Sequence, residues 1–535
     1  MATVALFSAC VVLFSSVHGQ CPFPEHCTCT GKTVECKNVD SSERMVEILT
    51  SMATNNADTE KLSFIDGEIA TLKKGQFQGL GNLQSLTFVN ARFVGNAGLN
   101  EEALNGLTKL TMFRISMNNK AASDDTPMKF PENFFKSLTA LKVLQLDNNR
   151  LGTSPSQGVF NGLEGLDILD LSSNNIVAPD TGKLSALRGL KTLNLASNGM
   201  TTLSPDVFIG LTKLESLILS GNPAIALNDA TLSKVRSLKS LDLSFNQLSE
   251  INPQTMSSVM ATLETLDLNS NNIETLKDNM FSGLSALKLL NLSSQASGIK
   301  TFEPSAFAGL TSLSELDLSR NSFSHLKPNA FEPIAQAHFI LKGNRFFCNC
   351  EIMPMRTWIV TKSKNTALVC SYPPSLMNRN IADIDPEADV GCIPPVFTNL
   401  NERVRGEEGT TVTFSCAVKN RHQYPEMSYT ILLGSPLPKN RSKVEVTNSS
   451  DANNYFTKAV VFTVKDVTRA DNGQIKCTAS GAGTTLTATL DIVYGPEGLP
   501  LWAIILIVAV VILVIVCVIV GVVMCRKQKY KVVRH

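Results

Sequence analysis

One short pattern of leucines recurs along most of this chain and constrains its fold more than any other feature. The pattern is LxxLxLxxNxL, and six clear copies begin 24 or 25 residues apart, at Leu166, Leu190, Leu214, Leu238, Leu263 and Leu287. The full series runs from Thr59–Ile69 and Leu83–Phe93, through Leu110 onward, to Gln336–Phe346, and we count twelve units. A fixed period of this length predicts stacked supersecondary units, none of which can bury its leucines alone.

The spacing within the pattern predicts a strand in every unit. The two leucines of LxL lie on the same face, because side chains alternate along a strand. Strands stacked about 4.8 Å apart then form one long parallel sheet, and the solenoid curves with this sheet on its concave side. A series of phenylalanines is expected to pack as a spine on the convex side: Phe77, Phe135, Phe160, Phe208, Phe281, Phe307 and Phe331.

The asparagine of the pattern has a separate role. Its side-chain amide can satisfy backbone groups in the bend after the strand, which would otherwise be buried and unpaired. It occurs in eight units, at Asn149, Asn174, Asn198, Asn222, Asn246, Asn271, Asn321 and Asn344. Gln295, Gly67 and Ala91 replace it elsewhere, and we expect a looser stack at those positions.

The residue between the two leucines lies on the outward face of the sheet. Four aspartates in this row, at Asp170, Asp242, Asp267 and Asp317, make a modest acidic stripe, although such residues are also ordinary in repeats of this kind. Asn291 lies in the same row within an N-glycosylation sequon, and a glycan there would obstruct binding. We therefore expect ligand contact at the earlier repeats, at Thr87, Arg114, Gln145, Asp170, Asn194 and Ile218.

Two apolar segments predict a secreted and membrane-anchored chain. Residues 1–19 are typical of a signal peptide cut before Gln20. Residues 501–525 carry no charge and are long enough to cross a membrane as a helix. Five basic residues follow in 526–535, which predicts a type I orientation with the amino terminus outside. The sequence Cys517, Gly521, Cys525 places small residues four apart, so the span is either a plain anchor or a homodimer contact.

Ten of the thirteen cysteines remain when the signal peptide and the span are set aside. Four precede the first repeat, at Cys21, Cys27, Cys29 and Cys36, and four follow the last, at Cys348, Cys350, Cys370 and Cys392. A repeat array needs both raw ends covered, so each cluster predicts a disulfide-stapled cap. The spacing of the first cluster does not favour zinc, and the sequence alone allows three pairings in each cluster.

Residues 20–393 resemble the extracellular leucine-rich-repeat proteins with paired cysteine caps, whose C-terminal cap has the same CxC…C…C order. The resemblance implies the pairs Cys21–Cys29, Cys27–Cys36, Cys348–Cys370 and Cys350–Cys392. It also implies an α/β horseshoe with the parallel sheet on the concave face.

The chain after Pro394 changes to alternating strands. Cys416 and Cys477 lie 61 residues apart, and Asp471–Cys477 resembles the DxGxYxC signature of an immunoglobulin domain, with Ile475 in place of the tyrosine. No tryptophan lies between the cysteines. A Cys416–Cys477 disulfide would stabilise this all-β sandwich by roughly 4 kcal/mol. Further glycosylation sequons at Asn440 and Asn448 are placed in a loop-rich stretch.

The complete order resembles the leucine-rich-repeat and immunoglobulin transmembrane proteins of the LINGO, AMIGO and netrin-G-ligand type, which have many invertebrate relatives. It implies a plasma-membrane recognition or adhesion receptor for extracellular protein ligands. The expected segments are 1–19 signal peptide, 20–58 cap, 59–346 repeats, 347–393 cap, 394–494 immunoglobulin-like domain, 495–500 stalk, 501–525 span and 526–535 cytoplasmic tail. The alternatives are an innate immune receptor for microbial ligands acting with a co-receptor, and a regulatory subunit of another membrane protein.

No catalytic motif supports an enzyme. The sequence has six scattered histidines and lacks HExxH, GxSxG and a phosphate loop. We therefore expect no catalytic residue, metal or cofactor. The net charge of +1 includes the five basic residues of the tail, so the rest of the chain is mildly acidic. This charge argues against a nucleic-acid partner.

Overall fold

A computed structural model describes most of the chain. The described residues are Cys21, 23–93, 98–117, 127–152, 158–177, 182–223, 225, 227, 229–361, 368–386, 388–392, 396–397, 404–406, 409–419, 428–433, 444–450, 457–465, 473–481, 484–494 and 501–531. They form two compact units, the first of Met1–Phe347 with Trp358–Asp383 and the second of Cys348–Thr357 with Ile384–His535. The predicted signal peptide, the stalk and Asn440 lie outside the described residues.

The first unit is built on short strands that follow the repeats. In chain order they are β1 Cys27–Thr30, β2 Thr33–Val39, β3 Lys61–Gly67, β4 Ser85–Val89, β5 Met112–Ser116, β6 Val143–Gln145, β7 Ile168–Asp170, β8 Thr192–Asn194, β9 Ser216–Ile218, β10 Ser240–Asp242, β11 Thr265–Asp267, β12 Thr275–Leu276, β13 Leu289–Asn291, β14 Thr301–Phe302, β15 Glu315–Asp317 and β16 His338–Ile340. Fourteen of them form one sheet, and β12 and β14 form a separate parallel pair.

The main sheet has the parallel arrangement that the repeat period predicts. Its strands lie in sequence order, and apart from the antiparallel pair β1–β2 each neighbouring pair is parallel. Twelve strands, from β3 to β16 without β12 and β14, coincide with the twelve repeat units. The central residue of each of the short three-residue strands points inward and is at most 2% exposed. Each such leucine stabilises the stack by about 1.5–3 kcal/mol.

Four α-helices occur among the described residues of the chain, namely α1 Ser42–Asn55, α2 Asp229–Leu232, α3 Met353–Thr361 and α4 Leu501–Lys531. Short 3-10 helices occur at Pro253–Val259, Pro328–Ile334, Cys350–Ile352, Pro374–Leu376 and Ile381–Asp383. Helix α1 was not predicted from the sequence. It begins where the Ser41 hydroxyl accepts the Arg44 N–H, and it buries an apolar face of Met45, Ile48, Leu49 and Met52.

The back of the stack is filled by the predicted phenylalanines. All seven are at most 1% exposed, and Phe135 stacks on Phe160 with ring centroids 6.5 Å apart. Phe307 stacks on Phe331 at 5.6 Å. Other buried apolar residues occupy the same slot in the remaining units, which is why the aromatic series is interrupted: Leu104, Leu184, Leu232 and Met256.

The asparagines form a continuous ladder beneath the bends. The Asn198 amide, for example, donates to the carbonyls of Leu195 at 2.9 Å and Leu171 at 3.1 Å, while its oxygen accepts the backbone N–H of Asn174 at 3.0 Å. Each asparagine thus joins its own repeat to the one before it. Buried carbonyls and amides that the strands leave unpaired are satisfied in this way.

The expected loosening at Gln295 is wrong. Gln295 is 4% exposed, and its amide donates to the carbonyls of Leu268 at 2.8 Å and Leu292 at 3.3 Å. Its oxygen accepts the Ile273 N–H at 3.0 Å. A glutamine carries the same amide as an asparagine, and the local bend accommodates the extra methylene, so the ladder continues unbroken.

Disulfides and aromatic packing close the ends of the stack. Cys21–Cys29 and Cys27–Cys36 are bonded at S–S distances of 2.14 and 2.11 Å, which confirms disulfides in the N-terminal cap. Cys350 is bonded to Cys392 at 2.14 Å, and both Cys348 and Cys370 are disulfide-bonded. Trp358 of α3 packs on Phe331 and Phe339 of the last repeat, with ring centroids 5.5 and 5.2 Å apart. This packing keeps the terminal leucines and phenylalanines out of water.

The described part of the second unit has eight further strands, β17 Val396–Phe397, β18 Val404–Gly406, β19 Val412–Lys419, β20 Ser428–Leu433, β21 Val444–Ser450, β22 Thr457–Val464, β23 Gly473–Gly481 and β24 Thr484–Tyr494. They form two four-stranded sheets, ordered β17-β19-β22-β21 and β18-β24-β23-β20. Asn448 lies in β21 opposite Val460, not in a loop. The Asn-Ser-Ser run has low β-propensity, so the sequence alone concealed this strand.

Helix α4 contains the predicted membrane span. Its segment Ala503–Val520 has a mean hydropathy of 3.9 and is fully exposed, and it is the one helix among the described residues that is long and apolar enough to cross a membrane. The helix continues through the basic residues to Lys531. The Cys517 thiol is free and exposed.

We expect Asn271→Ala to destabilise the repeat unit by on the order of 3 kcal/mol, because it leaves several buried backbone groups without partners. The Asn271 amide donates to Leu243 and Leu268, and its oxygen accepts from Asn246 and Leu248. Asn272→Ala is the matched control, because Asn272 is exposed. Urea denaturation followed by circular dichroism measures both. Equal midpoints for the two variants would contradict the structural role of the ladder.

Candidate ligand-binding surface

The strand register places the six predicted contact residues in one unbroken row. Thr87 pairs with Arg114, Arg114 with Gln145, and the pairing continues through Asp170 and Asn194 to Ile218 on β9. All six are half-buried on the face of the sheet opposite the leucines. The row therefore forms a surface whose side chains are held at the spacing of neighbouring strands, about 4.8 Å.

Arg114 is held by two side chains on the same face. Its Nη2 lies 3.4 Å from Asp147 Oδ2 and 3.2 Å from the Ser116 hydroxyl. Ser116 in turn donates to Asp147 Oδ2 at 2.5 Å. Asp147 was not among the predicted site residues, because the sequence pattern gives no sign that an arginine one repeat earlier reaches it. The cluster fixes a guanidinium at a defined position on the face.

The acidic stripe has a structural cause. In Asp170, Asp242, Asp267 and Asp317 the Oδ1 atom accepts the backbone N–H two residues further on, at 2.8–2.9 Å. The shared bond caps the end of the strand, as Asx turns do. An asparagine does the same in this slot, since Asn194 Oδ1 accepts the Ala196 N–H at 3.0 Å. In these five units the slot thus uses a short carbonyl-bearing side chain as a cap, and the negative charge of the aspartates is additional to that role.

The sequon at Asn291 lies within the same row. Its Oδ1 accepts the Ser293 N–H and hydroxyl at 3.1 and 2.8 Å, and its Nδ2 donates to Asp267 Oδ2 at 3.2 Å. The nitrogen that would carry a glycan therefore lies on the sheet face, between β11 and β15. A sugar at that atom would cover the neighbouring strands and leave β4 to β9 accessible.

Apolar side chains form a second row beside the first. Met112, Val143 and Ile168 are neighbours in the register of β5, β6 and β7. Met112 and Val143 are half-buried, and Ile168 is exposed. Together with Arg114 and Gln145, they give this part of the face the mixture of apolar and polar groups that is found in protein interfaces.

A ladder of alternating charges runs along the edge where the strands begin, and it was missed from the sequence. Its members directly precede seven successive strands: Lys142, Asp167, Lys191, Glu215, Lys239, Glu264 and Lys288. Asp167 lies 2.9 Å from Lys191, Lys239 lies 3.0 Å from Glu215, and Lys288 lies 2.7 Å from Glu264. The strict alternation is readable in the second position of the repeat.

The ladder shifts the titration of its members. The hydrogen bond from Lys191 lowers the pKa of Asp167 below its usual value of 3.8, with burial opposing and the charges of Lys191 and Lys142 assisting. The bond to Lys288 likewise lowers the pKa of Glu264. Because neighbouring charges cancel, this edge is a poor binding site for a charged ligand. The described residues also contain no group of three or more acidic, histidine or cysteine side chains that could hold a metal ion.

Comparison with known proteins identifies the repeats. Four segments, 129–176, 164–223, 236–296 and 295–346, match the family "Leucine rich repeat". The matched residues lie in an array with a solenoid-like fold and a parallel sheet. The leucine-rich-repeat match covers the C-terminal part of the sheet, from β6 to its last strand, β16.

Named relatives match only part of the chain. The chain is 29% identical over 157 residues to leucine-rich repeat and fibronectin type-III domain-containing protein 4 of Rattus norvegicus, covering 29% of this chain and 21% of that protein. It is 28% identical over 154 residues to human leucine-rich repeat-containing protein 4C, covering 28% and 22%. The match therefore spans about a fifth of the length of these relatives. A solved Toll–Spatzle complex in its glycosylated form is 19% identical, with a TM-score of 0.48 over 66% of this chain and 58% of that one.

We expect Asp167→Asn to lower the melting temperature by no more than about 2 °C at pH 7. The folded pKa of Asp167 is lowered, so its contribution to stability is present above the unfolded pKa and is lost as the pH falls through the folded value. The difference from wild type should therefore shrink below about pH 4 and in 1 M salt. Glu164→Gln, which removes an exposed carboxylate outside the ladder, is the control. A pH-independent difference would rule out the ion pair as its cause.

Proposed function

We propose that this chain is a cell-surface recognition receptor of the adhesion type, which binds extracellular protein ligands through the outward face of its repeat sheet. The observation that carries the proposal is the unbroken row from Thr87 to Ile218, held in register across six strands. A surface of this kind is preorganised, so little conformational entropy is lost when a partner binds. Its side chains are chemically mixed and unlike a catalytic site, which supports binding over catalysis.

The proposed location follows from the two ends of the chain. The cap disulfides suit an oxidising compartment outside the cytosol. Helix α4 would anchor the protein, with the basic residues that follow Cys525 on the cytoplasmic side. We propose a type I orientation in the plasma membrane, with residues 1–19 as the signal peptide.

We also propose that residues 394–494 form an immunoglobulin-like domain. Two four-stranded sheets support this assignment, with Cys416 on β19 of one and Cys477 on β23 of the other. A disulfide between these positions would join the two sheets, as in immunoglobulin domains. The side chains of both cysteines lie outside the described residues. We likewise propose that residues 20–58 and 347–393 form the two cysteine caps.

The proposal is tested by expressing the full chain on suspended cells and adding an arrayed panel of purified extracellular domains, together with microbial polysaccharides and lipids. We expect at least one protein domain to bind and the microbial probes not to bind. Binding only to the microbial probes would favour an innate immune receptor. Failure of every probe would contradict the proposal.

Gln145→Arg should weaken binding of such a domain at least tenfold, because it places a long charged side chain in the middle of the row. A tenfold loss of affinity corresponds to about 1.4 kcal/mol. Thr212→Arg is the matched control. It adds the same side chain at an exposed position on the segment that connects two strands. Titration of the labelled domain on cells measures both affinities. An equal loss in the two variants would show that the sheet face is not the binding surface.

A further inference from the structure

One backbone position is left-handed in all twelve repeats. It directly precedes the ladder asparagine, or the residue that replaces it, and its φ lies between 52° and 77° at Asp66, Asn90, Met117, Asn148, Ser173, Ser197, Gly221, Phe245, Ser270, Ser294, Arg320 and Gly343. We call it the turn position. Its N–H donates to a carbonyl of the next repeat, as Ser197 does to Ser220 at 2.7 Å. The conformation is therefore imposed by the stack and cannot relax at a single repeat.

The residue types at the turn position follow from this constraint. A left-handed backbone brings Cβ close to the following carbonyl, so glycine and short polar residues tolerate it best. Nine of the twelve are Gly, Ser, Asn or Asp. Met117, Phe245 and Arg320 depart from this set, and Phe245 differs from the other two in carrying an aromatic ring, which is 61% exposed at a φ of 57°. Its N–H makes the same bond as the others, to Asn269 at 3.0 Å, so the fold would accept serine there.

Small residues surround Phe245. The adjacent turn positions hold Gly221 and Ser270, and the positions just before them hold Ser220, Ser244 and Asn269. A ring that is largely exposed above such low neighbours can enter a pocket on another molecule. Exposed aromatic residues in this setting are characteristic anchors of protein interfaces.

The charge around Phe245 indicates what it binds. Asp242 lies three residues before it and pairs in register with Asp267, and Asp317 lies two strands further along. From β7 to β15 the two outward strand rows hold these aspartates, Asp170 and Glu315, and they contain no lysine or arginine. The lysines of this region belong to the alternating ladder, where acidic neighbours offset them. The local surface is thus acidic, and its complement is basic.

We propose that Phe245 anchors the protein ligand by inserting its ring into an apolar pocket rimmed by lysine or arginine side chains, which face Asp242 and Asp267. The inference rests on the proposed recognition function and narrows its partner to a protein with a basic-rimmed pocket. It moves the centre of the contact surface from the row that ends at Ile218 to the next strand, β10. A glycan on Asn291, two strands from β10, would cover Asp267 on β11 and leave Asp242 and the turn position accessible.

The test uses the full chain on cells and, as probe, each member of the panel of purified extracellular domains. Phe245→Ser introduces the residue type found at the next turn position and should weaken binding of the domain at least tenfold. Ile209→Ser is the matched control, since it removes another exposed apolar side chain, on the segment between β8 and β9. It should leave affinity within twofold. Asp242→Asn keeps the strand-capping oxygen, as Asn194 does, and should weaken binding and reduce its dependence on salt.

Each result has a distinct meaning. Full binding by Phe245→Ser would overturn the anchor while leaving the recognition function intact. Binding that is insensitive to salt and to Asp242→Asn would overturn the basic-rimmed partner. Association of the chain only with a second copy of itself would also overturn the basic-rimmed partner. If nothing binds wild type, both proposals fall. The melting temperature supplies a measurement without a partner: Phe245→Ser should melt at or above wild type, and a drop of several degrees would show that the fold itself needs the ring.

Discussion

The hydrogen bonds of the asparagine ladder are the interaction on which the rest of the structure depends. A strand of three residues pairs only a few backbone groups, and the bend after it buries others. A single side-chain amide pairs backbone groups of both kinds. Asn174 donates to the carbonyls of Leu146 and Ser172 and accepts the N–H of Asn149. These bonds favour burial of the leucines, because each buried carbonyl or N–H left unpaired costs about 1–3 kcal/mol. Burial of the leucines and pairing of the buried backbone groups are therefore coupled, and two positions of the same repeat provide them.

This coupling explains which parts of the fold were predictable. The parallel sheet and the phenylalanine back follow from residue types that recur at fixed spacing, and the disulfides of the N-terminal cap follow from a cluster of four cysteines before the first repeat. Helix α1 did not, because its apolar positions lie in a single segment outside the repeat and have no second copy to reveal them. The effect of Gln295 was misjudged because the pattern was read by residue type, although glutamine carries the same side-chain amide as asparagine. Strand β21 was hidden because its Asn-Ser-Ser run is typical of loops, and pairing with β22 overrides that preference.

The candidate surface was predictable in outline only. Alternation along a strand places Arg114, Gln145 and Asp170 on the outward face, and the register then sets them side by side. The sequence could not show that Asp147 reaches Arg114, because that contact depends on the offset between two repeats. It did contain the alternation of lysine with acidic residues at the strand edge, which a search for conventional motifs passes over. Because their Oδ1 atoms accept backbone N–H groups, the four aspartates cap the ends of their strands, and their charge is additional to that role.

The repeat thus separates positions that the fold dictates from positions that it leaves open. At the dictated positions the stack favours leucines inward, amides in the ladder, and glycine or short polar residues at the left-handed turn. Outward side chains are open, so their identity carries information about what the surface meets. Phe245 lies at a dictated position yet departs from what the stack favours there, and it does so while exposing an aromatic ring to water. Strain of this kind persists only where surrounding structure enforces it, and it is concentrated at functional sites in proteins generally. In a repetitive scaffold, the residue that breaks the local rule without a structural gain is therefore the most informative one about function.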